Sequence, residues 1–292
     1  MHRYLLHNGV IQDTSALLIA PGQTGFLNGW GVFSTIRIAE GVLFAFERHY
    51  ARMRRDAERL RVPFAFSAEE LEDMLLILAD ANGAVDATLR VAIVRNRGGI
   101  WEGPHIHRDA DLIAFTTDLT DWGKGVKLSY MPNARHAASP FSGLKSTSWA
   151  HNLVWYEEAH ERGFDEYILL NEYGEVSECT SANIFIIEGN QVWTPPLDSS
   201  GCLPGVTRAI LLEEIQLAGV TIAERRLTPQ DLEASEQVFI TSSTRDLLPV
   251  MEIDSEPLAQ APEKLSRLQQ AFLEYRSNYV AAHARQKKAI RQ

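Results

Sequence analysis

The sequence predicts an α+β protein of two domains, with short strands and intervening helices in both halves. Three observations predict it. Short β-rich runs recur from Gly31 to Ile240. Between them, apolar residues fall at helical spacing. The regular strand–helix alternation of a doubly wound sheet is absent, as is any Gly-rich dinucleotide fingerprint.

In chain order, Gly31–Ile38 and Val42–Phe46 flank Glu40-Gly41 and read as a hairpin. Residues 47–61 favour a helix, with Tyr50, Met53, Ala57 and Leu60 on one face. A second helix starts near Ser67. Ser67 and Glu70 fit a capping box, and Leu71, Met74, Leu75 and Leu78 follow at helical spacing. Leu89–Val94 and Leu112–Phe115 read as buried strands. The polar stretch Thr117–Gly125 is the candidate linker, giving a small N-terminal domain over 1–117, a linker over 118–125 and a larger domain over 126–292. Beyond it, strands are expected at Val126–Met131, Tyr167–Leu170, Ile184–Ile187, Gln191–Thr194 and Val238–Ile240, and helices near 147–162, 206–218 and 261–281. The basic end, Arg285–Gln292, reads as frayed.

At 292 residues the chain can bury a large core, and its 45% hydrophobic and 23% charged content is that of a globular protein. A formal charge of -10 argues against a general nucleic-acid binder. No apolar run approaches a membrane span, and the first residues lack the apolar stretch of a signal peptide. Cys179 and Cys202 are the only cysteines, so no disulfide scaffold is expected and a cytoplasmic location is the default. His105 and His107 alternate without a supporting Cys or carboxylate pattern, so no metal site is expected.

Four segments could carry chemistry. Lys145 lies among Ser142, Gly143, Ser146, Thr147 and Ser148, just ahead of a helix start; taken alone it reads as a solvated surface lysine. Glu178, in Val176-Ser177-Glu178-Cys179-Thr180-Ser181-Ala182-Asn183, follows a turn at Gly174 and reads on local grounds as a strand carboxylate. Pro204-Gly205 makes a turn, and Val206-Thr207-Arg208 opens a helix whose free N–H groups can bind an anion. Thr241-Ser242-Ser243-Thr244 places four hydroxyls at a strand end. Arg48, Arg52 and Arg55 share a helix face that on its own is a solvated basic face. Cys179 reads as a small packing residue.

Together, in this order, these segments resemble the fold type IV (class IV) aminotransferase family, from Asn8-Gly9 to about Asp254 and most closely over 143–208. The resemblance implies a two-domain fold, with a smaller N-terminal α/β domain and a larger β-barrel-like domain, and pyridoxal 5'-phosphate at the domain interface. It also implies a homodimer whose partner loop closes the site. Lys145 is then the Schiff-base amine, with Asn152 at the position where related enzymes carry an Asn. Glu178 is the partner of the pyridine nitrogen. Arg52 of Arg52-Met53, the Val206 and Thr207 amides, and Ser242 and Ser243 ahead of Pro249-Val250 hold the phosphate. Arg95 and Arg97 sit where several members recognise substrate.

The subgroup follows from departures. Phe33-Ser34-Thr35-Ile36-Arg37 and Ser148-Trp149-Ala150 differ from the branched-chain pattern, and the first is closer to aminodeoxychorismate lyases; Leu203–Arg208 is nearly the aminotransferase form. The first reading is an aminotransferase working between an amino acid or amine with an apolar side chain and a 2-keto acid. Phe33, Thr35, Trp30, Trp101 and Trp149 are candidates for its pocket. The alternative is an aminodeoxychorismate lyase releasing pyruvate and 4-aminobenzoate. A third reading, a catalytically silent binder of a small molecule, is opposed by the presence of both Lys145 and Glu178.

Overall fold

The computed structural model describes residues 1–16, 18–20, 22–100 and 106–290, with backbone alone at 285–290. The chain forms two compact units. The first comprises Met1–Thr120, Leu144–Trp149 and Arg276–Gln292; the second comprises Asp121–Gly143 and Ala150–Tyr275. The chain thus re-enters the first unit twice, which a single division at 118–125 does not contain.

The first unit holds β1 (Tyr4–His7), β2 (Val10–Asp13), α1 (Thr24–Asn28), β3 (Gly31–Ala39), β4 (Val42–Leu43), α2 (Phe46–Arg59), α3 (Ala68–Ala81), β5 (Ala87–Arg95) and β6 (Ala110–Thr117). Its six strands run in the order β2-β1-β6-β5-β3-β4 with every pair antiparallel. One side chain in two points to each face of a strand. Val32, Ile36 and Ile38 of β3 and Leu89, Val91 and Ile93 of β5 bury one face in a core with Met53, Leu71, Leu75 and Leu78 of α2 and α3. Phe33, Thr35 and Arg37 therefore point the other way, with Arg90 paired directly opposite Thr35.

The expected hairpin forms, but its second strand stops at Leu43. The Phe44 N–H turns back to the Arg37 carbonyl, and Ala45 enters the left-handed region (φ 52°) to start α2. The expected capping box holds: Ser67 accepts the Glu70 N–H and Glu70 accepts the Ser67 N–H.

The second unit holds β7 (Val126–Arg135), α4 (Ala150–Glu161), β8 (Glu166–Asn171), β9 (Val176–Cys179), β10 (Asn183–Glu188), β11 (Gln191–Thr194), α5 (Val206–Glu213), β12 (Thr221–Glu224), α6 (Pro229–Ala234), β13 (Gln237–Ser242), β14 (Asp246–Ile253), β15 (Glu256–Pro257) and the start of α7 (Pro262–Ile290). Its mixed sheet runs β12-β11-β10-β13-β14-β7-β8-β9, with β15 beside β14, and it curls so that β9 also approaches β10. β8, β9, β10 and β13 are buried along nearly their whole length. Both cysteines are free and buried.

α4 begins at Ala150 rather than near 147; the residues before it run alongside β3 instead, with Ser146 bridged to Val32 and the Thr147 N–H bonded to the Gly31 carbonyl. α5 ends at Glu213, short of 218, and α7 extends past 281 to Ile290. The short elements β1, β2, α1, β12, α6 and β15 carry too few periodic residues to have been expected, and the run of β14 is interrupted by Pro249. No helix among the described residues is long and apolar enough to cross a membrane.

Candidate active site

The first unit carries the lysine. Its segment is stitched to β3 backbone to backbone. The Phe33 N–H donates to the Lys145 carbonyl at 3.0 Å, the Thr147 N–H donates to the Gly31 carbonyl at 2.9 Å, and Val32 bridges Ser146. Gly31 permits this approach, since a Cβ there would lie 2.7 Å from the Ile93 carbonyl oxygen and 3.0 Å from Thr147 Oγ1. On α2, buried Asp56 accepts the Lys145 N–H at 3.0 Å. The backbone of Lys145 is thereby fixed from two elements, and its side chain stays half-buried.

Lys145 Nζ stands 4.5 Å from the Phe33 ring centre and 5.9 Å from that of Trp149. The Arg90 guanidinium lies 4.1 Å from the same Phe33 ring and 5.9 Å from Trp149. Phe33 and Trp149 meet edge to face at 5.9 Å. Arg90 is half-buried, and among the described residues it makes no hydrogen bond or ion pair. Burial pushes its proton affinity down. A guanidinium that has left water without meeting an anion is a receiver for one. Sequence reasoning missed Arg90, because a basic residue in an alternating strand reads as the solvated face.

On the core side of β3, buried Arg52 donates from Nη2 to Ser34 Oγ at 2.8 Å, and Ser34 Oγ lies 2.8 Å from His49 Nδ1. Arg52 has only donors to offer, so the Ser34 hydroxyl proton goes to His49 Nδ1 and the imidazole carries its own proton on Nε2. Burial first, then the charges of Arg52 and Lys145, push His49 well below its ordinary value, so it is neutral. Burial also lowers Arg52 to about 10. Arg48 and Arg55 remain half-exposed, which singles out Arg52 on the basic face.

Arg95 and Arg97 are engaged elsewhere. Arg95 stacks 4.2 Å over Trp30 and donates to the Arg97 and Arg61 carbonyls; Arg97 lies 3.6 Å from Asp109. Trp30 packs on the first unit's core and donates from Nε1 to the Leu60 carbonyl. Trp101 and His105 lie outside the described residues, and His107 is exposed.

The second unit carries Glu178 and the uncapped start of α5. Glu178, on β9, is buried, and each oxygen of its carboxylate has a donor: Arg135 Nε to Oε1 at 3.0 Å and the Leu203 N–H to Oε2 at 3.0 Å. The Leu203 carbonyl accepts from Asn183 Nδ2 at 2.8 Å. Asn183 is paired in register with Thr241 on β13, so this one amide ties the turn before α5 to the strand that ends at Ser242. Gly205 is the N-cap of α5 and has extended backbone (φ −68°, ψ 143°) with no side-chain cap. Buried Val206 and Thr207 follow, and among the described residues the buried Thr241 hydroxyl has no hydrogen-bond partner.

An uncapped helix start beside an unpartnered buried hydroxyl fits a phosphate. Ser242 and Ser243 are half-buried at the same strand end, where Ser242 Oγ accepts the Arg245 N–H at 3.2 Å. Asn152 has a structural role, donating to the Thr180 carbonyl at 2.6 Å. Cys179 is raised well above its ordinary value by burial, which suits an inert packing thiol. Among the described residues no His, Cys, Asp and Glu group could hold a metal ion.

Residues 31–253 match the family model described as amino-transferase class IV. The chain is 27% identical to a putative branched-chain-amino-acid aminotransferase of Methanocaldococcus jannaschii, over 93% of this chain and 96% of that protein. It is also 27% identical to an aminodeoxychorismate lyase of Bacillus subtilis, over 94% of each. Among solved structures, the branched-chain aminotransferase of Thermoproteus uzoniensis superposes with a TM-score of 0.85 at 23% identity, covering 96% of this chain and 98% of that one. With three quarters of its length inside the family model and the fold of its members, the chain belongs to the class IV amino-transferase family.

Proposed function

We propose that the protein is a pyridoxal-phosphate-dependent aminotransferase that moves an amino group between an amino acid and a 2-keto acid. The observation that carries this reading is the lysine segment. In a chain of this family, the Lys145 amine is held over Phe33 with the Arg90 guanidinium against the same ring. Lys145 is the attachment point. Glu178 faces the pyridine nitrogen; Arg52, the Val206 and Thr207 amides and the Ser242–Ser243 turn hold the phosphate. When bound, the cofactor supplies an electron sink for the substrate's α-carbon.

The chain's own groups do the rest. Lys145 Nζ takes the proton from the α-carbon and returns it to the product side. Arg90 receives a substrate carboxylate. Phe33 and Trp149 offer an apolar wall to the side chain, with small Thr35 opposite Arg90. Sequence reasoning gave the carboxylate to Arg95 and Arg97; the engagement of Arg95 with Trp30 and Arg61 and of Arg97 with Asp109, and the lack of a hydrogen bond or ion pair on Arg90 among the described residues, support moving it.

The alternative lyase reading is favoured by one observation. Arg90 and Thr35, directly paired on neighbouring strands, offer a cation and space to a bulky dianion. A cytoplasmic location and a homodimer are part of the proposal. Exposed Phe26 and Leu27 on α1 support a partner subunit, and light scattering of the purified protein reads its mass. The deciding experiment for activity mixes holoenzyme with a panel of L- and D-amino acids and follows the visible spectrum. Conversion to the amine form of the cofactor names the donor. Pyruvate release from aminodeoxychorismate, with no conversion by any amino acid, establishes the lyase instead.

A further inference from the structure

Arg135 ends β7 just past a register shift against β8, and it pairs with Asn171 of β8. Glu178, on β9, pairs with Leu169 of the same strand. Positions 169 and 171 share a face of β8, so the two side chains rise on one face from the two flanking strands. Arg135 Nε reaches Glu178 Oε1 at 3.0 Å, with the two side chains 15% and 10% exposed. The other oxygen is held by the Leu203 N–H. Each carboxylate oxygen has two acceptor sites, so this grip fixes the plane of the group while leaving a lone pair on each oxygen. The guanidinium's other contacts are slight: the Ala134 carbonyl at 3.3 Å and the Trp155 ring at 5.7 Å.

We propose that Arg135 is a positioning residue for Glu178, setting where its carboxylate stands and thereby whether the pyridine nitrogen of the cofactor keeps its proton. This rests on the reading of Glu178 as the partner of that nitrogen. Arg135 acts through Glu178 and touches no reacting atom.

The test loads wild-type protein, Arg135→Met, Arg135→Lys, Glu178→Gln and the Arg135→Met/Glu178→Gln double variant with pyridoxal phosphate labelled with 15N in the ring. The 15N shift reports the ring proton, and cofactor dissociation is measured beside it. Glu178→Gln is expected to lose the protonated-nitrogen signal. Arg135→Met is expected to move the signal the same way and to weaken cofactor retention roughly tenfold, the scale of one charge-assisted hydrogen bond. Arg135→Met adds nothing once Glu178 is Gln, whereas Arg135→Lys recovers part of the signal. Should Arg135→Met fail to fold, Arg135→Lys carries the same comparison in both backgrounds. A wild-type 15N signal in the Arg135 variants, or losses that add in the double variant, makes the pair a structural tie between β7 and β9 and overturns the proposal while Glu178 keeps its role. A wild-type signal in Glu178→Gln overturns the reading of Glu178 itself.

Discussion

Asp56 Oδ2 accepts the backbone N–H of Lys145 at 3.0 Å, so a carboxylate on α2 fixes the main chain of a residue 89 positions later. The same carboxylate is gripped by Arg55, and its side chain is 1% exposed. Removing it takes this acceptor from both the Lys145 N–H and the Arg55 guanidinium. Asp56→Ala is expected to cost about 1–3 kcal/mol of stability, read by denaturant unfolding, and to lower turnover with little change in KM. Unfolding and turnover both like wild type would show that β3 alone seats the lysine.

Lys145→Ala is expected to abolish turnover and leave stability within ~1 kcal/mol of wild type, because a half-buried side chain is lost and the backbone stitching is kept. Borohydride treatment of wild-type holoenzyme followed by peptide mapping checks the attachment. Label recovered on another lysine sinks the assignment.

Arg90→Met keeps the bulk against Phe33 and removes the charge. A lost hydrogen-bonded ion pair with substrate, ~1.5–3 kcal/mol, corresponds to roughly a 10–150-fold fall in kcat/KM. Arg95→Met, which breaks the stack on Trp30 and the bond to Arg61, is expected to lower the melting temperature and leave kcat/KM near wild type. The opposite pattern would return substrate recognition to Arg95.

At Gly205 a Cβ would stand 2.0 Å from Asn183 Oδ1. Gly205→Ala is therefore expected to displace the turn before α5 and weaken cofactor retention roughly tenfold or more, since it disturbs the N–H groups that meet the phosphate. Combining it with Asn183→Ala relieves the clash. Partial recovery of retention in the pair, measured by dialysis against buffer, is the expected signature, and a wild-type Gly205→Ala removes the cradle from this turn.

His49 gives the pH dependence. Its folded form resists protonation, whereas the unfolded chain binds the proton below the ordinary value of 6.5. The unfolded state therefore binds more protons on the acid side, and stability falls as pH drops below 6.5, by up to about 1.4 kcal/mol per pH unit from this group. Unfolding midpoints across mildly acid pH are expected to decline in wild type and to decline less steeply in His49→Asn. Parallel declines in the two proteins would assign the acid loss to other groups.

What could be read beforehand depended on the physical signal. Ser67 with Glu70, and the apolar spacing of Leu71, Leu75 and Leu78, are local rules, and α3 obeys them. The helix start after Gly205 is where it was expected, and Lys145 and Glu178 could be singled out because each sits in a contiguous segment. Arg90, Arg135 and Asp56 could not, since each matters through a residue distant in sequence, and a single Arg or Asp in a strand or helix looks like ordinary surface. Ser34 and His49 were hidden for the same reason: their bond depends on α2 folding back over β3.

The lysine segment and α7 give the first unit an order of assembly. A ribosome that has released residues 1–120 has delivered the six-stranded sheet but neither Lys145 nor Tyr279, whose hydroxyl meets Glu47 at 2.6 Å and the Phe46 N–H at 3.3 Å. Val280 packs on Ala39 and Val42 at the edge of that sheet. The unit that holds Lys145 is thus finished only once α7 has emerged. A nascent chain stalled anywhere before α7 carries Lys145 on an incomplete support.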